Sequence, residues 1–172
     1  WPVPYVLGNL PNPCPAVTVG LLEALDHREP DIRWAISLLL ARIAKDNVEL
    51  VAALIRLCAS GTDNQKRMAL YCLRDLALSD HASAAAMVDA LRDLDASVRV
   101  AAAICLKSRA DVDLQGKQSL LEIYLNDAEL KVRHAVAIAL ATLGDPTAEF
   151  VAALQKNSRI DNEQIRKAAL AA

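Results

Sequence analysis

ELKVRHAVAIALATLG, residues Glu129 to Gly144, holds in its purest form a pattern that the chain repeats five times. Anchored on Arg133, the same grammar recurs at Glu29-Pro-Asp-Ile-Arg33, Asp63-Asn-Gln-Lys-Arg67, Asp95-Ala-Ser-Val-Arg99 and Asn162-Glu-Gln-Ile-Arg166. The arginines therefore stand at 33, 67, 99, 133 and 166, at intervals of 34, 32, 34 and 33. A fixed period of this size marks stacked supersecondary units, each of which buries its apolar face only against its neighbours.

Each copy reads as a helix start. Four places before the arginine stands Glu29, Asp63, Asp95, Glu129 or Asn162, where a short side chain can accept from the free N–H groups of a first helical turn. Asp and Asn suit that task better than Glu. Pro30 follows Glu29 at the position where a missing N–H costs nothing. Counting from the arginine, apolar residues fall at −1 (Ile32, Val98, Val132, Ile165) and at +7 (Leu40, Leu106, Leu140). The offsets −1, +3, +7 and +10 trace one stripe of a helix with 3.6 residues per turn. The second copy departs most, with Lys66 at −1.

The residues Asp95 to Ala102 (D-x-x-V-R-x-A-A) and Glu129 to Val136 (E-x-x-V-R-x-A-V) resemble the HEAT repeat, in particular the short HEAT-like repeats of phycobilin lyases and related bacterial proteins. The resemblance runs from about Pro15 to Ala172. It implies an all-α, right-handed α-α superhelix, a HEAT-like solenoid of about five helix pairs. The period is shorter than the ~40 to 47 residues of most HEAT arrays and coincides with those of ankyrin and tetratricopeptide repeats. However, neither T-P-L-H nor W-x-x-L-G-x-x-Y occurs.

Composition agrees with helices packed on helices. Hydrophobic residues make up 54% of the 172 but aromatic ones only 3%, so the core has to be built from Leu, Ala, Val and Ile. No run approaches the ~18 uninterrupted apolar residues of a membrane span, and the expectation is a soluble, cytoplasmic protein. The net charge is −2. Residues 1–86 carry 8 basic and 9 acidic side chains and residues 87–172 carry 11 and 12, so no basic stripe offers itself to a phosphate backbone. Cys14, Cys58, Cys72 and Cys105 stand far apart without C-x-x-C pairing and read as small buried apolar residues of a reducing compartment.

Taken in order, residues 1–15 carry five of the seven prolines, which forbids a regular helix and makes them a strap or linker. Trp1, Tyr5, Val6 and Leu7 are placed to cap the open end of the first helix pair or to meet an upstream domain. Residues 16–172 form the repeat domain. Its expected helices are Ala16 to His27 with Pro30 to Lys45, Val48 to Ala59 with Asn64 to Ala77, Ala82 to Arg92 with Ala96 to Ser108, Lys117 to Leu125 with Leu130 to Leu143, and Pro146 to Lys156 with a last one from Glu163. Gly61 and Gly144 read as stops. The sequence ends in mid-repeat on apolar alanines, as an excerpt of a longer array or a frayed terminus would.

Chemistry is mostly absent from the sequence. The five glycines form no phosphate cradle, and no G-x-S-x-G, H-E-x-x-H or S-x-x-K arrangement occurs. His27, His81 and His134 are isolated. The repeated acid and arginine at i and i+4 can pair on one helix face, and in the HEAT family such residues tie adjacent repeats together, which assigns them to structure. Asp111 to Glu122 has the spacing of an EF-hand loop, with Gly116 and a terminal acid. Gln115 and Gln118 depart from that pattern, and an inter-helix loop with capping aspartates accounts for the stretch.

The expectation is a non-catalytic scaffold without cofactor or metal that binds another protein or peptide in its concave groove. Two alternatives stand beside it: a lyase or lyase subunit, which the resemblance suggests, and a nucleic-acid-binding HEAT-like protein, against which the charge count speaks. The partner site is placed on the columns +1 (Trp34, Met68, Val100, His134) and +5 (Leu38, Cys72, Ile104, Ile138), rimmed by Asp31, Gln65 and Lys131. In the other arrangement open at this point, the +5 residues are buried between neighbouring second helices and only +1 faces the groove.

Overall fold

A computed structural model describes residues 14–143; the N-terminal strap, the fifth repeat and Gly144 lie outside the described residues. The chain divides into two compact units, Trp1–Ala86 and Met87–Ala172. Among the described residues the secondary structure is helical throughout.

In the first unit α1 (Pro15–Glu23) runs into a 3-10 turn (Ala24–Asp26), followed by α2 (Pro30–Ala44), α3 (Val48–Ser60) and α4 (Asp63–Leu76). The second helices α2 and α4 pack side by side, α3 packs on α4, and the 3-10 turn sits against both α2 and α4. Leu25, Leu40, Leu54, Leu70 and Leu73 are wholly buried between the layers. The +3 column expected in the core is there, with Ile36 and Leu70 buried. Ile32 at −1 is the exception: 38% of it is exposed.

Helix α5 (His81–Asp89) leads to the second unit, whose elements are a 3-10 turn (Ala90–Arg92), α6 (Ala96–Lys107), α7 (Leu114–Asn126) and α8 (Leu130–Leu143). Here α6 packs on α8, α7 on α8, and the 3-10 turn on α6 and α7. The core is the predicted one: Val98 and Val132 at −1, Ala102 and Val136 at +3, and Leu106 and Leu140 at +7 are all buried. Alanine serves this core because a small side chain lets neighbouring backbones approach closely; Ala101, Ala102, Ala103 and Ala139 have no exposed surface.

Several boundaries differ from expectation. The first and third long helices end as 3-10 turns. Helix α7 begins at Leu114 and not at Lys117, because Asp113 accepts from the Gly116 N–H at 2.8 Å and so caps it. Thr62, and not Asp63, caps α4: its hydroxyl accepts from the Gln65 N–H while the Gln65 side chain accepts from the Thr62 N–H, a complete capping box. Gly61 does follow α3 as a stop, but its φ is −74°, so its glycine character is a matter of space. A Cβ there would lie 2.8 Å from the Leu57 carbonyl oxygen and 2.9 Å from Gln65 Cβ.

Candidate partner-binding face

Three of the repeated arginines, Arg33, Arg99 and Arg133, tie the starts of their helices to the turns before them. Arg33 Nη1 donates to the carbonyls of His27 (2.6 Å) and Arg28 (3.0 Å). Arg99 Nη1 donates to those of Asp93 (2.9 Å) and Leu94 (3.0 Å), and Arg133 Nη1 to those of Asp127 and Ala128. Each guanidinium thus clamps the two carbonyls six and five places upstream, where the preceding helix has ended and its orphan acceptors need donors.

The side chain at −6 completes the turn. His27 Nδ1 accepts from the Glu29 N–H at 3.0 Å, Asp93 Oδ1 from the Asp95 N–H at 2.9 Å, and Asp127 Oδ1 from the Glu129 N–H at 2.8 Å. In the second repeat −6 is Gly61, which has no side chain to offer, and the Thr62–Gln65 box takes over the task. Of the residues at −4 expected to cap, Asp95 does so, accepting from the Ser97 and Val98 N–H groups. The Glu29 side chain makes no capping bond.

The expected pairing of acid and arginine within one helix is replaced by a link between repeats. Arg99 donates from Nε to Asp127 Oδ2 at 2.7 Å and from Nη2 to Oδ1 at 3.0 Å. The pair is largely enclosed, with 14% and 4% of the two side chains exposed. The Asp127 hydrogen bond holds the Arg99 guanidinium above its ordinary pKa against the effect of burial. Burial pushes the Asp127 carboxyl up, but the bonds from Arg99 and the Glu129 N–H and the charges of Arg99 and Arg133 outweigh it, so its pKa lies below 3.8. In the first unit Asn64 Nδ2 to Asp26 Oδ1 (3.0 Å) and Gln65 Nε2 to the Leu22 carbonyl (3.3 Å) make the corresponding links.

Against this frame the eight candidate contact residues separate. In the first unit Trp34 and Leu38, on α2, are 43% and 48% exposed, whereas Met68 and Cys72, on α4, are 5% and 0% exposed. The Met68 and Cys72 placements are therefore corrected. Cys72 is buried between neighbouring second helices, its Sγ 3.2 Å from the Ser37 carbonyl oxygen, as the other arrangement of the +5 column requires. In the second unit Val100 and Ile104 on α6 and His134 and Ile138 on α8 are half-buried. His134 Nε2 is enclosed and has no hydrogen-bond partner.

Tyr71, at +4, was not anticipated. Its ring meets Trp34 edge-on, with centroids 5.8 Å apart and planes at 69°, and the Arg74 guanidinium lies 5.0 Å above the Tyr71 centroid. Offset or edge-on aromatic pairs and a cation over a ring face are both attractive through the ring quadrupole. The signal was available, since an aromatic residue is rare in this chain and Tyr71 lies in the repeat after Trp34. The columns +1 and +5 do not include it, because +4 lies outside both.

The EF-hand spacing does not form a loop, because the chain is helical from Leu114 onward. The Asp111 carboxylate is held by Arg109, with Nε to Oδ1 at 2.8 Å and Nη2 to Oδ2 at 2.6 Å. The Arg109 hydrogen bond lowers the Asp111 pKa. Among the described residues no group of three His, Cys, Asp or Glu side chains is placed to hold a metal ion, and no helix is long and apolar enough to cross a membrane. Cys58, Cys72 and Cys105 are buried as expected, but Cys14 is exposed. Burial pushes the Cys58 thiol up to about 12.

The family description HEAT repeats matches residues 84–172. No curated protein matches the chain. Among solved structures, a designed armadillo repeat protein in complex with the peptide (KR)4 superimposes with a TM-score of 0.59 at 19% identity, over 91% of this chain and 80% of that one. A second designed armadillo repeat protein gives a TM-score of 0.56, and one designed for modular peptide recognition gives 0.55, at the same identity and coverage. At that identity the likeness is one of fold, a repeat solenoid.

Proposed function

The chain belongs to the HEAT-repeat family, and we propose that it is a non-catalytic scaffold that holds a segment of another protein against the second helices of its repeats. The observation that carries this reading is the exposed Trp34 ring, held edge-on to Tyr71, over whose ring the Arg74 guanidinium lies. A tryptophan already immobilised by a neighbour loses little freedom on binding, and such aromatic anchors dominate protein interfaces. The similarity in fold to a designed armadillo protein that carries a bound peptide supports a peptide-sized ligand. Leu38 borders the anchor on α2, and Val100, Ile104, His134 and Ile138 are kept as candidate contacts of the second unit.

The test uses peptides selected from a displayed random library on the intact chain. Peptides that use the anchor should bind Trp34→Ala at least about 30-fold more weakly, the equivalent of about 2 kcal/mol. Val48→Ala, which shortens a largely exposed valine elsewhere in the unit, should bind as well as the parent. Equal binding by Trp34→Ala and the parent, with the fold intact by circular dichroism, would remove the site.

A further inference from the structure

The three arginines that clamp a preceding turn are each the fourth residue of their helix, Arg33 in α2, Arg99 in α6 and Arg133 in α8. Arg67 is the fifth residue of α4, because the Thr62–Gln65 box starts that helix one place earlier in relation to its arginine. The Thr62 carbonyl accepts from the Lys66 N–H at 2.8 Å, whereas the corresponding carbonyls of Glu29, Asp95 and Glu129 accept from the N–H of the arginine itself. One residue is about 100° of helix, so Arg67 is turned away from the clamp. Among the described residues no hydrogen bond or ion pair holds its guanidinium, although the residue is half-buried.

On α4 Arg67, Tyr71 and Arg74 stand at i, i+4 and i+7, on one face of the helix. Tyr71 carries the edge-on contact with Trp34, and Trp34 is the fifth residue of α2 as Arg67 is of α4. Beyond the first turns of the two helices this face is cationic. Arg42, one turn after Leu38 on α2, is exposed. With Arg67 and Arg74 it stands against one carboxylate, Asp75, which Arg74 already holds at 2.7 Å. Asp31 and Asp63 are exposed as well, but they lie in the first turns, where the positive end of a helix favours an acid. A planar guanidinium with its donors unclaimed matches a carboxylate through two parallel bonds. We propose that the segment held by Trp34 is acidic, and that Arg67 receives an Asp or Glu carboxylate beside the apolar residue that meets Trp34. This rests on the partner reading above and adds a charge specificity to it.

The experiment takes peptides selected from a displayed random library on the intact chain and keeps those whose binding is lost in Trp34→Ala. Each is remade with its Asp and Glu residues changed singly to Asn or Gln. One such change should weaken binding to the parent about tenfold and leave binding to Arg67→Gln unaltered. Arg67→Lys, which keeps the charge without the fork, should fall between the two. In Arg67→Glu the preference should reverse, so that a peptide with Lys in place of that acid binds better than the acidic one. Trp34-dependent peptides without an acid at a constant spacing from their apolar anchor, or with an acid that counts equally in the parent and in Arg67→Gln, would overturn the charge specificity and leave Trp34 as the anchor. A library that yields no Trp34-dependent binder would overturn both readings. Arg67→Gln breaks no bond of the fold and should melt as the parent does; a clearly lower melting temperature would show the guanidinium engaged in the fold and overturn its role in binding.

Discussion

At the scale of single residues the decisive group is Asp127, which accepts from Arg99 of the repeat before it and from the Glu129 N–H of its own turn. Asp127→Ala leaves a largely enclosed guanidinium with its two carbonyls but without its counter-charge. Breaking a buried pair from one side is costly, and the expected loss is about 3 kcal/mol by urea denaturation. Asp127→Asn keeps an oxygen for the Glu129 N–H and should lose less. The pH dependence follows from the direction of the shift. The Asp127 pKa in the folded chain lies below the ordinary 3.8, so its contribution is complete above that value and is lost as pH falls through 3.8 toward the folded pKa. Asp95 and Asp111 are lowered too and add to the acid slope. Unfolding free energy measured from pH 6 to pH 3 should fall less steeply in Asp127→Asn; an identical slope would show that the carboxylate carries no such linkage. None of this was visible in the column of acids at −4. The arginine column is periodic and announced itself, but the residues at −6 are His27, Gly61, Asp93 and Asp127, four residues with no common chemistry in sequence beyond what a turn demands.

Helices are where the sequence was most readable and where its errors are instructive. The stripe at −1, +3 and +7 located α2, α4, α6 and α8 to within one residue at their starts, because burial against a partner helix enforces a 3.6-residue period. First turns were harder, since several side chains compete to cap and only geometry picks the winner. Asp95→Ala should therefore cost about 1 kcal/mol and Thr62→Ala a similar amount, whereas Glu29→Ala, which removes no capping bond, should be near neutral in the same thermal melts. The end of α4 carries a different signal. Ala77 adopts φ 49°, ψ 36°, a left-handed conformation that costs an L-residue roughly 1 kcal/mol or more and glycine almost nothing. Ala77→Gly is thus expected to stabilise the chain, offset in part by the larger freedom of glycine when unfolded, and a lower melting temperature would contradict the backbone described here. The candidate site was legible only in part for the same reason: Trp34 and Leu38 and the buried Met68 and Cys72 occupy identical columns, and what separates them is the presence of α2 against α4, which no column records.

For the whole molecule, the repeat architecture makes stability a sum of repeat and nearest-neighbour terms. Leu40 and Leu140 occupy the same +7 position in the first and fourth repeats, both buried, and each change to Ala should cost about 2 to 5 kcal/mol. Because the two share no neighbour in such an array, the double variant should lose the sum of the single losses to within about 0.5 kcal/mol. A larger discrepancy would mean that the chain unfolds through a core common to all repeats. Truncation after Gly144 asks the same question more severely. The shortened chain keeps α6, α7 and α8, whose shared core includes the buried Val98, Leu106, Leu120, Val132 and Val136. It should still unfold cooperatively in urea, at a lower midpoint, and its m-value should fall by about one sixth, in proportion to the chain removed. Arg133 would keep its clamp on the Asp127 and Ala128 carbonyls, so α8 should retain the slow amide exchange of a packed helix up to its last turn. A non-cooperative transition after this cut would mean that the first four repeats depend on the fifth for their fold, and the nearest-neighbour account would have to be abandoned.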